Sequence, residues 1–141
     1  MRDNRAQISL EYILIFSISL IVLMIFTLPL AEDSIKNTLD VSDSLNAKYE
    51  LSAIAQAIME VYGEGHGSKR TISLDSDNKI KVSISDRYIS CNLKLKSNSY
   101  KQIRESFKSN IKKTSITLNK GNNVIVVEWP IGSENMLIYK K

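Results

Sequence analysis

At 141 residues the chain has room for one modest globular domain beside whatever its amino terminus does. Its single cysteine, Cys91, excludes an intrachain disulfide and, with one histidine in the chain, leaves no zinc signature. The net charge of +4 is spread over lysines from Lys36 to Lys141 with no basic block interleaved with aromatics, so it reads as a solvated surface and predicts no nucleic-acid partner.

Apolar residues make up 43% of the chain, but they are unevenly placed. Residues 8–31 contain one charged side chain, Glu11. As a helix, roughly 24 residues are about 36 Å long, enough to cross a bilayer core. Arg2 and Arg5 precede this run, while Glu32, Asp33, Asp40 and Asp43 follow it against only Lys36. That asymmetry predicts a cytoplasmic amino terminus and a translocated remainder. An ordinary secretory signal has a shorter apolar core and a small-residue cleavage site after it, and Leu30-Ala31-Glu32 supplies a poor one. Hydropathy alone favours a plain signal anchor.

Glu11 argues for more. A carboxylate inside a membrane helix costs up to roughly 2.5–3.5 kcal/mol at the bilayer centre and usually marks a function; the alternative is a glutamate snorkelling at the interface. The segment Ala6-Gln7-Ile8-Ser9-Leu10-Glu11, at the head of the apolar run, resembles the class III signal peptides of archaeal type IV pilins. The resemblance implies cleavage between Ala6 and Gln7 by a prepilin peptidase, with Gln7, Ser9 and Glu11 as the first, third and fifth residues of the mature chain. It also implies that the new α-amino group meets Glu11 of a neighbouring subunit in a low-dielectric core, which offsets the buried charge and fixes the helix stagger.

Pro29 removes a backbone hydrogen bond near the end of the run and predicts a kink or a loosened turn. Asp33 and Ser34 are placed to cap a helical restart. Ile35, Leu39, Leu45 and Tyr49 are widely spaced; Leu51, Ile54, Ala55, Ile58, Val61 and Tyr62 then form one apolar stripe at intervals of three and four. Helix is therefore expected to about Tyr62. Gly63-Glu64-Gly65-His66-Gly67-Ser68 lacks the strand, helix and Gly-Lys-Ser/Thr of a phosphate-binding loop, so it reads as a helix stop and reversal.

Beyond Ser68 the pattern alternates. Ile72 and Leu74, then Ile80, Val82 and Ile84, then Tyr88 or Ile89 with Cys91, Leu93 and Leu95, predict strands with turns at Asp77-Asn78 and Ser85-Asp86. Ile116 and Leu118 lead to Asn119-Lys120-Gly121-Asn122, read as a hairpin turn. The run Val124–Trp129 is the expected central strand, Pro130 ends it, and Met136–Tyr139 is the last strand. Tyr100, Ile103, Phe107 and Ile111 are spaced for a helix, whereas the resemblance favours β structure; the reading leans to β. Trp129 and Tyr139 read as core or interface packing.

The expected fold is α+β: a long amino-terminal hydrophobic helix, transmembrane and then amphipathic, followed by a small antiparallel β-sandwich-like domain. The expected division is a leader over 1–6, a membrane and polymerisation helix over 7–31, its amphipathic continuation over 32–62, and an extracellular β domain over 63–141. No catalytic set, metal ligands or cofactor motif stands out, so the chain reads as a non-enzyme with no cofactor. The resemblance implies a filament subunit, single-pass in the membrane before assembly and on the cell surface afterwards. Its implied partners are a prepilin peptidase, other pilins, an assembly ATPase and a membrane platform protein. Archaeal filament subunits often carry N-linked glycans, and the chain has no Asn-x-Ser/Thr, which points to a minor subunit. The rival reading is an anchored extracellular binding domain that never polymerises.

Overall fold

The computed structural model describes the backbone from Asn4 and the side chains from Leu10 onward. Met1–Asp3 of the expected leader, and the side chains of Ala6, Gln7 and Ser9, lie outside the described residues. The chain divides into two compact units, Met1–Thr38 and Leu39–Lys141. One helix, α1 (Asn4–Glu64), contributes to both.

In the first unit, every large apolar side chain from Leu10 to Leu30 is at least 38% exposed. Ser17 and Thr27 donate their hydroxyls to the carbonyls of Ile13 and Leu23, at 2.8 and 2.6 Å, so neither polar group is left unpaired on this apolar cylinder. Helix α1 runs through Pro29 and past Asp33 and Ser34 without a break. The expected restart at Asp33/Ser34 is therefore absent. The turn is held instead by a Glu32–Lys36 ion pair at 2.7 Å and by Thr38 donating to the Ser34 carbonyl at 2.9 Å.

In the second unit the helix buries a stripe that starts earlier than the apolar pattern. Asp40, Ser44 and Ala47 lead into Leu51, Ile54, Ile58 and Val61, every three or four residues. The Asp40 carboxylate accepts the backbone N–H groups of Lys96 and Ser97, tying the helix to a strand turn 56 residues away. Gly65, at φ +87°, ends the helix by donating its N–H to the Val61 carbonyl at 3.1 Å, and Gly67 at φ +89° completes the reversal.

Seven antiparallel strands follow: β1 (Lys69–Ser76), β2 (Ile80–Ile84), β3 (Tyr88–Lys94), β4 (Tyr100–Ser106), β5 (Thr114–Leu118), β6 (Gly121–Glu128) and β7 (Leu137–Lys140). They form two sheets, ordered β1-β6-β7 and β4-β3-β2-β5. The inward residues of both sheets and the helix stripe make one buried cluster, in which Leu51, Ile54, Val61, Val82, Ile89, Leu118, Ile125 and Val127 are inaccessible or nearly so. Strand β6 is the centre of its sheet, as its density of β-branched residues predicts.

Residues 100–106 form a strand, β4, in line with the β reading. The helical spacing arises because Phe107 and Ile111 are buried in the connection that crosses one end of the sheet to β5. One turn differs from expectation. Asn119-Lys120 is not a hairpin turn, since β5 and β6 lie in different sheets; it is a corner where the chain changes sheet. Buried Asn123 closes that corner, accepting from Asn119 N–H at 2.8 Å and Lys140 Nζ at 2.6 Å and donating to the Asn119 and Gly121 carbonyls at 2.7 Å each. The expected turns at Asp77-Asn78 and Ser85-Asp86 are present; the first carries the chain from one sheet to the other and the second joins the paired strands β2 and β3. Tyr139 is on the solvent face, its hydroxyl 3.2 Å from Glu128 Oε2, rather than in the core.

Candidate functional site

The candidate site is the amino-terminal part of α1. Among the described residues, one helix, starting at Leu10, is long and apolar enough to cross a membrane, and its apolar stretch buries nothing within the chain. In water that much exposed aliphatic surface would be strongly unfavourable, at roughly 25 cal/mol per Å². Lipid or other copies of the same helix must supply the missing contacts, so this segment anchors the chain in a membrane.

Glu11 lies one turn inside this surface, beside Leu10, Leu14 and Ile15, around an open depression of about 340 Å³. It has no ion-pair partner among the described residues. The backbone of Ala6, Gln7 and Ser9 is helical and continuous with Glu11.

Outside the apolar run, α1 carries a second exposed apolar stripe, in which Val41 joins two of the widely spaced residues, Leu45 and Tyr49. Val41, Leu45 and Tyr49, spaced by four, are 58%, 61% and 72% exposed. The helical period was legible, but the buried partner stripe beginning at polar Asp40 and Ser44 was not, so the two faces were not separated.

In the second unit, Cys91 and His66 are both packed against other side chains. Cys91 is buried in β3, and burial, with the nearby Glu50 carboxylate, pushes its thiol up to about 11, which keeps it protonated and unreactive. The imidazole of His66 lies against Trp129 with ring centroids 4.2 Å apart, and Tyr62 stacks on the same indole at 5.8 Å. Trp129 Nε1 donates to the Ser133 carbonyl at 2.9 Å, which fixes the indole over the helix end, beside a shallow depression of about 310 Å³ lined by Gly67, Lys69, Trp129 and Ile131. No group of three or more His, Cys, Asp or Glu among the described residues is arranged to hold a metal ion.

Residues 4–30 match the family model described as Class III signal peptide. No curated protein and no solved structure matches the chain.

Proposed function

We propose, for a type IV pilin-like chain whose class III signal peptide makes it a prepilin peptidase substrate, that the mature protein is a structural subunit of a surface filament. The observation that carries this reading is the matched segment's continuity with an apolar helix that buries nothing within its own chain. Cleavage between Ala6 and Gln7 leaves that helix on the product and frees an α-amino group one turn from Glu11. Subunits then stack through the helix, amine against carboxylate, and the exposed Val41, Leu45 and Tyr49 stripe extends the apolar contact beyond the membrane run.

The arginines before the run and the acids after it support an amino terminus in the cytoplasm and the strand-rich unit outside. The absence of an Asn-x-Ser/Thr sequence favours a minor subunit over a major exposed one. We assign the chain a structural role rather than a catalytic one, with an assembly ATPase, a platform protein and other pilins as partners.

Intact mass and amino-terminal sequencing of the protein from sheared surface material test this. A chain beginning at Gln7, free or as pyroglutamate, is expected, and Glu11→Gln is expected to be cleaved yet to fail in assembly. A chain beginning at Met1 and retained in the membrane would instead make it an anchored domain that never polymerises.

A further inference from the structure

Charge is segregated along the second unit in a way that the net value conceals. Residues 32–64 hold seven acids and two lysines, a net −5, whereas residues 79–120 hold eleven lysines and arginines and two acids, a net +9. All eleven cations are exposed. Only Arg87 among them is in an ion pair, with Asp86 at 3.5 Å. The four-stranded sheet is built entirely from this basic segment.

The strand register sorts these residues by face. Ile89, Cys91 and Leu93 of β3 point inward, so Tyr88, Ser90, Asn92 and Lys94 point outward, opposite Ser106, Arg104, Gln102 and Tyr100 of β4. On β2, Val82 pairs inward with Cys91, which turns Lys81 and Ser83 outward. The outward face therefore presents cations, tyrosines, amides and hydroxyls, and none of its strand residues is a carboxylate or an aliphatic. The Arg104 guanidinium lies 3.6 Å over the Tyr88 ring, and Tyr100 is 72% exposed at the sheet edge. Between them is a shallow depression of about 330 Å³ lined by Lys81, Asn92 and Gln102.

We propose that this face binds single-stranded nucleic acid. No ion pair among the described residues neutralises Lys81, Lys94 or Arg104, and a second copy does not match the face. Of the acids in residues 32–64, Glu32 pairs with Lys36, Asp40 with backbone N–H groups, and Glu60 and Glu64 with Arg70, while Glu50 is buried. That leaves Asp33 and Asp43 on the helix; with Asp75 on β1, Asp77, which accepts from the Asn46 amide, and Glu134 in a loop, they are scattered over separate elements rather than gathered to answer a patch of this charge. A bilayer is a poor fit, since no aliphatic side chain stands on the face to enter it. A single strand uses all of it: phosphates for Lys81, Lys94 and Arg104, base stacking for Tyr100, and base edges for Asn92 and Gln102. The face extends about 20 Å along β3, the span of a few nucleotides. The strict alternation on β2, β3 and β4 gathers lysines that look dispersed in sequence. This inference does not depend on filament assembly.

Full-length protein in a non-ionic detergent, titrated into a fluorescein-labelled 20-nucleotide single strand and followed by anisotropy, tests it. Affinity is expected to fall steeply with salt, with a log–log slope of about −2 to −3 for three to four phosphates. K81E/R104E is expected to weaken binding at least tenfold, and K69E/K141E, the same charge change on the other sheet, less than twofold. Tyr100→Ala is expected to weaken single-strand binding about threefold or more and to leave duplex or heparin binding unchanged. Circular dichroism checks the fold of each variant, with K81Q/K94Q as the milder substitute for the first. Equal losses in both charge-reversal variants, or heparin bound as tightly as the single strand with Tyr100→Ala silent, would overturn the proposal.

Discussion

Two buried carboxylates on the same helix face respond to pH in opposite directions. Burial pushes the Asp40 carboxyl up, but hydrogen bonds from Ser97 and from the backbone N–H of Lys96 outweigh it and hold it below its ordinary 3.8. Burial pushes Glu50 above its ordinary 4.5, Ser76 partly offsets that, and Asp77 and Asp75 add to it. Glu50 is 3% exposed, and its Oε2 has no hydrogen-bond partner. A lowered carboxyl contributes stability above its unfolded value that is lost as pH falls through the folded one. A raised carboxyl contributes stability below its unfolded value that is lost as pH rises through the folded one. Glu50→Gln is therefore expected to stabilise the protein at pH 7–8 by about 1 kcal/mol, or about 4–8 °C in Tm, and to do nothing near pH 4. Thermal melts at the two pH values check it, and an equal shift at both would show that charge is not the cause. Asn123→Ala removes four hydrogen bonds from a buried corner, and should cost about 1–3 kcal/mol in chemical denaturation.

At the scale of elements, the helix and the strands were legible wherever periodicity and burial agree. Leu51–Val61 gave the helix stripe, and the alternations through Ile84, Leu93 and Val127 gave β2, β3 and β6. Reading failed where a residue is buried for a reason other than apolarity. Asp40 and Ser44 continue the stripe as polar anchors, so its start is hidden in the sequence, while Pro29 and the Asp33/Ser34 cap signal point to a restart where the helix in fact runs on. It failed again where one local turn signal serves two topologies: Asn-Lys-Gly looks the same in a hairpin and in a change of sheet, and only the pairing of β6 with β1 decides. Strand β4 sits at the sheet edge with Ile103 as its one fully buried residue, too few to set a period of two. Of the candidate site, the apolar run was legible, because a bilayer imposes a length and a composition on sequence directly. The basic face was missed because it exists only after three strands are aligned. Ile58 is wholly inaccessible in the stripe, and Ile58→Ala should cost about 2–5 kcal/mol, whereas Leu45→Ala on the exposed stripe should leave the melting temperature nearly unchanged. Comparing the two melts tests whether the helix has the two separate faces described.

For the whole molecule, the division at Thr38/Leu39 separates two materials with different solvents. The exposed aliphatic surface from Leu10 to Leu30 needs lipid or other helices, while the Leu39–Lys141 unit contains every residue of the buried core. That unit keeps the Asp40 anchor, the full apolar stripe, both sheets and the Arg70 contacts to Glu60 and Glu64. Its folding free energy therefore owes nothing to the first 38 residues beyond the entropy of helix initiation, which falls on solvent-exposed turns. A chain starting at Leu39 is expected to be soluble without detergent and to unfold in one cooperative transition, with a denaturation midpoint close to that of the full-length protein in detergent. Calorimetry and size exclusion check this together. Any residual association should come from the exposed Val41, Leu45 and Tyr49 stripe and should disappear in Leu45→Asp. A truncated unit that is soluble only as an aggregate, or that melts without cooperativity, would mean that the apolar helix is needed for folding as well as for anchoring.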